Sequence, residues 1–557
     1  MTAPQTTRAE TAAPGRRAWL GLATLAAGLG MIVLDGTIVG VALPDIVSDL
    51  HLTLSDAQWV SSLYAAILAA LLLSAGRLAD RLGRKKLFLI GVVVFVLGSV
   101  WAASSTGAGS LITARAGQAI GAAMIMPSTL STVNATFRGK YRAAAFGVWG
   151  AVISGAAAVG PLAGGALTQY ASWQWIFLVN VPLGLLVLVA GVFTVRETTE
   201  PDGARAKGVD VFGAIVSGIG FAALVFVVIE GPDLGWITPK ADFQILGLTW
   251  PQTSAVSIVV PVAVVAVIGI GGFIWWEAMR ARRERAVLLD LTLFRLPTFS
   301  WGNLTAGAVA VGEFALVFVL PLCLVNALDY DVMGAGLILA GMAVGAFVSG
   351  ALARHLSAWL GAPGVVIVGL AMEVAGIGIL ALILRPDSLG WVLALPLVLY
   401  GLGLGLASAQ LTGTVLRDVP TAQSGQGSAT QSTVRQVGSA LGTALSGAAL
   451  SIALAITLPA ATSAAGLSGA KVDQAVDATR TTAGATISAL RAQHGGDIVN
   501  ALSAGFVDGT RIALVAAAVF LVLGLVGALR VRAVAGRAVA GRAVAARVEA
   551  GRATVDR

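Results

Sequence analysis

Residues 76–86 read Gly76-Arg77-Leu78-Ala79-Asp80-Arg81-Leu82-Gly83-Arg84-Lys85-Lys86 and join two long apolar runs. Glycines in such a stretch permit a tight turn and a close approach of two helices. Its acid can pair with the neighbouring arginines and stabilise the start of the next helix. A loop that is merely basic would explain the arginines and lysines but not the spacing of the glycines and the acid. We therefore interpret this stretch as a specific element between two helices.

Long apolar runs continue on both sides of this loop. The chain has 557 residues, of which 57% are hydrophobic and only 11% are charged, and its mean hydropathy is +0.87. A soluble domain carries about 25% charged residues, so water is not the solvent for most of this surface. Runs of about 18 or more apolar residues predict membrane-spanning helices. Fourteen are predicted, at 18–42, 58–79, 87–104, 110–133, 144–168, 175–195, 210–230, 255–276, 298–325, 334–354, 364–384, 391–415, 430–458 and 510–530.

The basic residues predict the orientation of these helices. If the N-terminus lies in the cytoplasm, 28 of the 36 lysines and arginines fall in cytoplasmic segments. Short cytoplasmic loops of membrane proteins are enriched in these two residues. We therefore expect both termini in the cytoplasm. The predicted organisation is a cytoplasmic tail (1–17), a six-helix bundle (18–195), two additional helices (210–276), a second six-helix bundle (298–530) with an extracellular loop (459–509), and a basic cytoplasmic tail (531–557) that we expect to be disordered.

The loop at 76–86 resembles the signature cytoplasmic loop of the major facilitator superfamily at nearly every defining position. This resemblance implies an all-α integral membrane transporter of the major facilitator type, with fourteen transmembrane helices arranged as 6+2+6. It also implies that the loop latches the two bundles on the cytoplasmic side while the solute site faces outward. The implied gate residues are Gly76, Arg77, Asp80, Arg81, Gly83 and Arg84.

Two charged residues lie inside predicted spans and within further motifs of this superfamily. The end of span one, residues 34–44, resembles the motif of the fourteen-span drug:proton antiporter branch, with Gly40 at a position usually taken by Asn. It contains Asp35, which is costly in a membrane unless it faces a cavity or a partner. Residues 111–121 resemble the motif built around an embedded arginine, here Arg115, which the family ties to proton transfer. We expect an embedded carboxylate, chiefly Asp35, to trade a proton for substrate. A buried structural hydrogen bond is the alternative role for Asp35.

Span five carries a pattern of glycine and proline. Residues 156–165 resemble the motif typical of exporters in the superfamily, and the residues that match it are Gly160, Pro161, Gly164 and Gly165. Glycine and proline in a spanning helix allow a kink and close helix packing. A generic packing helix is the alternative, since the chain contains 69 glycines.

Two further acids are singled out by position alone. Glu313 lies in the middle of span nine and Glu373 well inside span eleven. An intramembrane carboxylate is expensive and can exchange a proton or pair with a cationic substrate. A structural role is an equal alternative for each of them.

Several classes of protein are excluded by what the sequence lacks. The single cysteine, Cys323, rules out a disulfide framework and a cysteine-based zinc site. No ATP-binding loop and no hydrolase or zinc-protease motif is present. We therefore expect a transporter and not an enzyme, without cofactor, metal site or nucleic-acid partner. Its energy must come from an ion gradient or from the solute's own gradient, and the resemblance implies a proton gradient.

The sequence thus predicts alternating access in the bacterial plasma (inner) membrane by a multi-pass monomer. The resemblance implies proton-coupled export of hydrophobic drugs or antibiotics, cationic ones included. The expected partners are the small-molecule substrate, protons and the lipid bilayer. An exporter of a single endogenous metabolite or lipid, and a proton-coupled importer, are the alternatives.

Overall fold

In a computed structural model the protein is a bundle of long helices. The structure describes residues 14–137, 139–198, 210–245, 248–285, 287–420, 423–493 and 495–555, with some side chains inside these ranges, including that of Asp80, left outside the description. The helices of the first part are α1 Arg16–Asp49, α2 Leu54–Leu82, α3 Arg84–Ala103, α4 Ala108–Thr136, α5 Gly139–Tyr170, α6 Trp175–Leu178 and α7 Asn180–Thr194. Then come α8 Val211–Leu234, the hairpin β1 Phe243–Ile245 and β2 Leu248–Trp250, and α9 Val259–Arg282.

The last part begins with a 3₁₀ turn, Leu291–Arg295. Its helices are α10 Pro297–Leu322, continued by a π-helical turn Cys323–Ala327, α11 Val332–Ile383, α12 Gly390–Val415, α13 Ser424–Ala464, α14 Ala470–Thr481, α15 Ala485–Ala492 and α16 Gly496–Val555. The antiparallel hairpin pairs Phe243 with Trp250 and is a small departure from the all-helical prediction. Each of the fourteen predicted ranges is mostly helical, with 175–195 divided between α6 and α7 and with 334–354 and 364–384 both in α11.

Polar side chains set where several of these helices begin. The Thr53 hydroxyl accepts from the Asp56 amide at 3.0 Å, and the Asp56 carboxylate accepts from the Thr53 amide at 2.9 Å, a capping box at the start of α2. Asp210 and Asp331 cap α8 and α11. The side chain of each accepts one hydrogen bond of 2.9 Å from the backbone amide three residues further along the chain. These acids satisfy amides that the first helical turn leaves unpaired.

Eleven helices in the described part of the chain are long and apolar enough to cross a membrane. One of them, α11, has 52 residues and contains two predicted spans. The two parts are separated at Gly361, which adopts φ 71° and interrupts the helix just before Pro363. An L-residue side chain is strained at that φ, whereas glycine adopts it readily. Two further predicted spans coincide with α4 and α5, which are not among the eleven. The described chain is thus a helical membrane protein, and fourteen crossings remain a prediction.

The two ends of the bundle differ in how the halves meet. The basic end carries residues 82–86, and the far end carries the turn between α1 and α2 at residues 50–53. Toward the far end, one apolar core joins α1 and α2 to α10, α11 and α16, and it includes Ile46, Val60, Leu320 and Leu514. Toward the basic end, a separate core, with Phe88 and Phe95, contains only residues from α1 to α7 and their flanks. Among the described residues, the apolar core that joins the two halves therefore includes far-end residues of the N-terminal half, and the basic-end core of that half contains no residue of the other half.

Direct contacts between the halves also lie on the far-end side. The Gln58 side chain of α2 donates to the Ala444 carbonyl of α13 at 3.1 Å, and Ser62 donates to Ala440 at 3.2 Å. The additional helix α8 packs on this seam, with Val225 and Ile229 against Ala65 of α2 and Ala440 of α13. Glu230 of α8 accepts hydrogen bonds from Ser55 and Trp59 of α2, both at 2.7 Å.

Two segments differ from the sequence-based expectation. Much of the range 459–509, expected to be a loop, is helical, because α13 runs to Ala464, α14 and α15 follow, and α16 begins at Gly496. Buried Ala483 and Ile487 anchor this segment. The expectation of disorder in the basic tail is also wrong, because α16 continues to Val555. Repeated alanine, a strong helix former, is consistent with that continuation.

Candidate functional site

The centre of the N-terminal half holds a buried network around Asp35 of α1. The Arg115 Nη1 of α4 lies 2.5 Å from Asp35 Oδ2. Asp35 Oδ1 accepts from Gln118 Nε2 of α4 at 3.1 Å and from Asn180 Nδ2 of α7 at 2.9 Å. Exposed fractions are 1% for Asp35, 2% for Arg115 and 0% for Gln118 and Asn180. Two charged residues 80 positions apart in the sequence thus form one enclosed pair.

The other groups around this pair fix its orientation. Arg115 stacks over the Tyr64 ring of α2, with Cζ 4.2 Å from the ring centroid. Its Nη1 also donates to Gln118 Oε1 at 2.9 Å. Ser99 of α3 accepts from Gln118 Nε2 at 2.8 Å and from Asn180 Nδ2 at 3.2 Å, and donates to a backbone carbonyl. Side chains from α1, α2, α3, α4 and α7 therefore meet at one point.

Every contact that the described residues make with the Asp35 carboxylate comes from a donor. Arg115, Gln118 and Asn180 are the three donors. A buried carboxylate without such partners would cost several kcal/mol, on the order of the desolvation penalty of an ion. A proton on Asp35 would remove the negative charge and leave the Arg115 guanidinium without its anionic partner. The described residues thus enclose one carboxylate and one guanidinium in a shell of amide and hydroxyl side chains.

The glycine and proline pattern of α5 lies against two helices. A Cβ at Gly164 would stand 3.0 Å from the Ile38 carbonyl oxygen of α1, and one at Gly160 would collide with Thr37. A Cβ at Gly165 would stand 3.1 Å from the Val332 carbonyl oxygen of α11. The Pro161 carbonyl faces α11 in the same way, where a Cβ at Gly336 would approach it to 2.6 Å. The glycines and the proline thus allow one face of α5 to pack against α1 and the adjacent face to pack against α11 of the other half.

Gly40 allows a further approach between the halves. A Cβ there would lie 2.7 Å from the Val317 side chain of α10. The amide that usually occupies this position of the family motif would find no room in this arrangement. The absence of that side chain is thus explained by close packing of α1 on α10.

The two acids of the C-terminal half differ in their surroundings. Glu313 of α10 lies 3.6 Å from the Arg435 Nη2 of α13, and their side chains are 22% and 40% exposed. Glu373 of α11 is 0% exposed, and neither carboxylate oxygen has a hydrogen-bond partner among the described residues. The Tyr400 hydroxyl of α12 is also buried and has no hydrogen-bond partner among the described residues.

The signature loop is held by residues that follow α7. Gly83 adopts φ 108° between α2 and α3, which favours glycine, and a Cβ there would strike the Glu197 carboxylate. Glu197 accepts from the backbone amides of Lys85 and Lys86 at 3.0 and 3.3 Å, at the positive N-terminal end of α3. Arg77 donates to the Val287 carbonyl, in the connection between α9 and α10. The side chain of Asp80 lies outside the described residues.

Sequence reasoning identified the charged centre but missed its neutral partners. Gln118 stands one helical turn from Arg115, and Asn180 is an amide within an apolar run, so both carried a local signal. Glu197, which holds the signature loop, and Arg435, which pairs with Glu313, were also missed. Among the described residues, no group of three or more His, Cys, Asp or Glu could hold a metal ion.

The chain is similar to known transporters over most of its length. Residues 25–443 match the family described as Major Facilitator Superfamily. The multidrug resistance protein Stp of Mycobacterium tuberculosis is 32% identical over 424 residues, which cover 76% of this chain and 74% of that protein. The tetracenomycin C resistance and export protein of Streptomyces glaucescens is 30% identical over 529 residues, 93% of each chain. The riboflavin transporter RibZ of Clostridioides difficile is 27% identical, over 77% of this chain and 87% of its own.

Solved structures agree on the fold. The crystal structure of a bacterial homologue of the human lysosomal transporter Spinster, in an inward-facing and unoccupied conformation, superposes with a TM-score of 0.60 at 20% sequence identity. The match covers 93% of this chain and 98% of that one. These similarities confirm the resemblance found in the sequence: the chain belongs to the Major Facilitator Superfamily, as a multi-pass membrane transporter related to bacterial drug-resistance exporters, and not as an enzyme.

Proposed function

We propose that this transporter exports hydrophobic drugs or antibiotics, cationic ones included, in exchange for protons. The observation that carries the proposal is the enclosed pair of Asp35 and Arg115, 2.5 Å apart, with every contact to the carboxylate made by a donor. A structural hydrogen bond would need neither a full positive charge nor burial of both ions. Such burial is costly and marks ion pathways in membrane proteins.

The proposed cycle uses Asp35 as the proton carrier. When a proton neutralises Asp35, Arg115 loses its anionic partner, and the contacts among α1, α4 and α7 loosen. When the proton leaves, Arg115 returns and restores the network. Binding of substrate is coupled to one of these two states, so a proton moving inward drives a solute outward by alternating access. The proton gradient drives transport only through the difference in stability between the network with protonated Asp35 and the network with deprotonated Asp35.

The shared core at the far end fits a state that opens at the basic end. With the basic loops placed in the cytoplasm by the positive-inside rule, this is an inward-facing state. In it, Gly160 and Gly164 hold α5 on α1, while Pro161 and Gly165 hold α5 on α11 and close the outer side. Gly76, Arg77, Asp80, Arg81, Gly83 and Arg84 are the proposed gate that closes the inner side in the opposite state.

The remaining features of the proposal concern the setting of the protein. It acts as a monomer with fourteen spans and both termini in the cytoplasm of a bacterial cell, in the plasma membrane. Several relatives are named for resistance or export of antibiotics. One relative is named as a riboflavin transporter, which favours a single dedicated metabolite as the second candidate.

Efflux from proteoliposomes, with and without an imposed pH gradient, tests this function. A panel of lipophilic dyes, antibiotics and riboflavin would be loaded and their release followed. We expect several chemically unrelated drugs to move only when protons flow in the opposite direction. Transport of riboflavin alone would replace drug export by a dedicated exporter, and uptake driven by the same gradient would reverse the assigned direction.

A further inference from the structure

The far end of α2 is joined to the additional helix α8 by polar contacts. Ser55 Oγ and Trp59 Nε1 of α2 both donate to Glu230 Oε1 of α8, each at 2.7 Å. One helical turn from Glu230, the Phe226 ring faces the Trp59 ring, with 6.2 Å between the centroids. Hydrogen bonds between helices are directional, so these contacts fix the position of α8 on α2.

Contacts between α2 and the additional helices continue toward the basic end. Midway along α2, a Cβ at Gly218 of α8 would stand 3.4 Å from the Ala70 Cβ, an ordinary packing distance. Further on, Leu73 of α2 packs against Ala214 of α8 and Phe273 of α9. The pair of additional helices therefore lies against α2 over most of its length.

The contact of α8 with α13, in the other half, is of a different kind. Val225 and Ile229 lie against Ala440 and Ala444, and the described contacts between these two helices are apolar. Apolar side chains make no directional bonds, and lipid tails are as apolar as they are. The contact of α8 with α13 can therefore shift at low cost, whereas the contact with α2 cannot.

Alternating access requires α2 and α13 to separate at the far end in the opposite state. In the present state, two side chains of α2 donate to backbone carbonyls of α13 there. Since α8 lies over the seam between α2 and α13, it must stay with one of them. One charged contact links α8 to the C-terminal half, from Arg480 of α14 to Asp233 at 3.4 Å, but it is partly exposed, and such pairs contribute little.

We propose that α8 and α9 are a fixed part of the N-terminal half, that α13 slides along α8 in each transport cycle, and that Glu230 is the positioning residue that holds α8 on α2. This inference rests on alternating access in the proposed function, and not on the identity of the solute or of the coupling ion. The connection after α9 then lies between two moving bodies, since its Val287 carbonyl accepts from Arg77 of α2 and, at 3.4 Å, from Gln426 of α13.

Two disulfides test which helices move together. Ala70→Cys with Gly218→Cys forms an α2–α8 disulfide, because the separation at that contact is close to the Cβ–Cβ distance of about 3.8 Å in disulfides. Gln58→Cys with Gly447→Cys forms an α2–α13 disulfide across the halves, where a Cβ at Gly447 would meet the Gln58 side chain. The readout is exchange of radiolabelled for unlabelled ethidium across proteoliposomes, before and after reduction with dithiothreitol.

The two disulfides should have opposite effects on exchange. With the α2–α8 disulfide formed, we expect a rate within about twofold of the reduced protein, because the bond lies inside one rigid body. The α2–α13 disulfide should slow exchange at least about tenfold, because it joins the two bodies, and dithiothreitol should restore the rate. Arrest by the α2–α8 disulfide would overturn the inference, since α8 would then move relative to α2. Free exchange with the α2–α13 disulfide in place would overturn it as well.

Variants of Glu230 test its positioning role. Glu230→Gln keeps an oxygen that can accept from α2 and should exchange ethidium within about twofold of wild type. Glu230→Ala removes that acceptor and should lower the rate at least about fivefold, because α8 loosens from α2. Forming the α2–α8 disulfide in the Glu230→Ala chain should restore exchange. A local packing defect at Glu230 would not be repaired by a bond about three helical turns away.

Asp233→Ala is the matched control, because it removes the neighbouring acid of α8 and its contact with Arg480. It should exchange ethidium at the wild-type rate. Wild-type exchange in Glu230→Ala, or no recovery when the α2–α8 disulfide forms in that variant, would refute the role of Glu230.

A thiol on α13 gives a readout that needs no solute. Ala444 is 0% exposed, so Ala444→Cys should react with a water-soluble maleimide only when α13 moves away from α2. Wild type, whose single Cys323 is buried, is the control for background labelling. Labelling should proceed equally with and without the α2–α8 disulfide, and arrest of labelling by that disulfide would overturn the inference.

Failure of the transport proposal is distinguishable from failure of this inference. Labelling of Ala444→Cys without any movement of drugs or dyes would refute drug export and leave the sliding of α13 intact. Active exchange without labelling would instead show that the seam between α2 and α13 stays closed, and would overturn the inference alone.

Discussion

Alanine substitutions of glycines along α5 should raise the free energy of unfolding at one position and lower it at others. At Gly155 no atom of the described residues lies within 4 Å of a new Cβ, whereas at Gly164 the Cβ would stand 3.0 Å from the Ile38 carbonyl oxygen and 3.3 Å from its Cα. Replacing glycine by alanine in a helix gains about 0.8–1.0 kcal/mol. Overpacking of a tight contact costs about 1–3 kcal/mol, and the obstructing atoms at Gly164 belong to backbone that cannot rotate away.

The free energy of unfolding should therefore rise by up to about 1 kcal/mol in Gly155→Ala and fall by up to about 2 kcal/mol in Gly164→Ala. Gly160→Ala should also be destabilising, because its Cβ meets the Thr37 side chain. Thermal unfolding of the purified proteins in one detergent, followed by tryptophan fluorescence, ranks the three against wild type. Gly155 serves as the matched control, since it shares the helix and the substitution.

The same helix offers a functional readout. Gly165→Ala presses on α11 of the other half, so it should weaken closure at the far end and change the rate of transport more than the stability. Equal thermal shifts for Gly155→Ala, Gly160→Ala and Gly164→Ala would contradict this account of the motif. A Gly164→Ala protein more stable than wild type would contradict it as well. The glycines would then be no more than part of a glycine-rich chain.

Two further predictions concern contacts at the ends of the bundle. Glu197→Gln should lower the thermal stability slightly, by about 0.5 kcal/mol and less at high salt, because an exposed carboxylate at the start of α3 loses its charge; a shift that does not depend on salt would oppose this electrostatic role. Arg491→Ala should cost about 2 kcal/mol, because its guanidinium donates to the Ala327 carbonyl at 3.1 Å and to Asp329 at 3.0 Å. Faster trypsin cleavage within 465–495 would reveal that loss, and unchanged cleavage would refute it.

The sequence predicted most helices because apolar length is a local property. Each predicted range is mostly helical, and charged or polar residues mark the ends. The break in α11 was expected as a gap between two spans, and Gly361 and Pro363 supply it. The helices within 459–509 escaped prediction because their apolar residues are few, and they become stable only through packing against residues such as Asn326, which donates to the Ala483 carbonyl at 3.0 Å.

The candidate site was only half visible in the sequence. Asp35 and Arg115 attracted attention because each charge is expensive in an apolar run, but nothing local states that residues 80 positions apart touch. Gln118 could have been assigned from its position one turn from Arg115. Arg435 lies in the predicted span 430–458, yet its pairing with Glu313 depends on how α13 packs on α10, which no spacing along the chain reveals.

The central claim is that Asp35 carries the coupling proton and is not needed to bind the solute. The most direct measurement compares two activities of Asp35→Asn in proteoliposomes: accumulation driven by a pH gradient, and exchange of labelled for unlabelled drug without any gradient. Asp45→Asn, ten residues further along the same helix, is the matched control. We predict that Asp35→Asn loses gradient-driven accumulation and retains exchange, while Asp45→Asn keeps both. Gradient-driven accumulation at the wild-type level in Asp35→Asn would contradict the account.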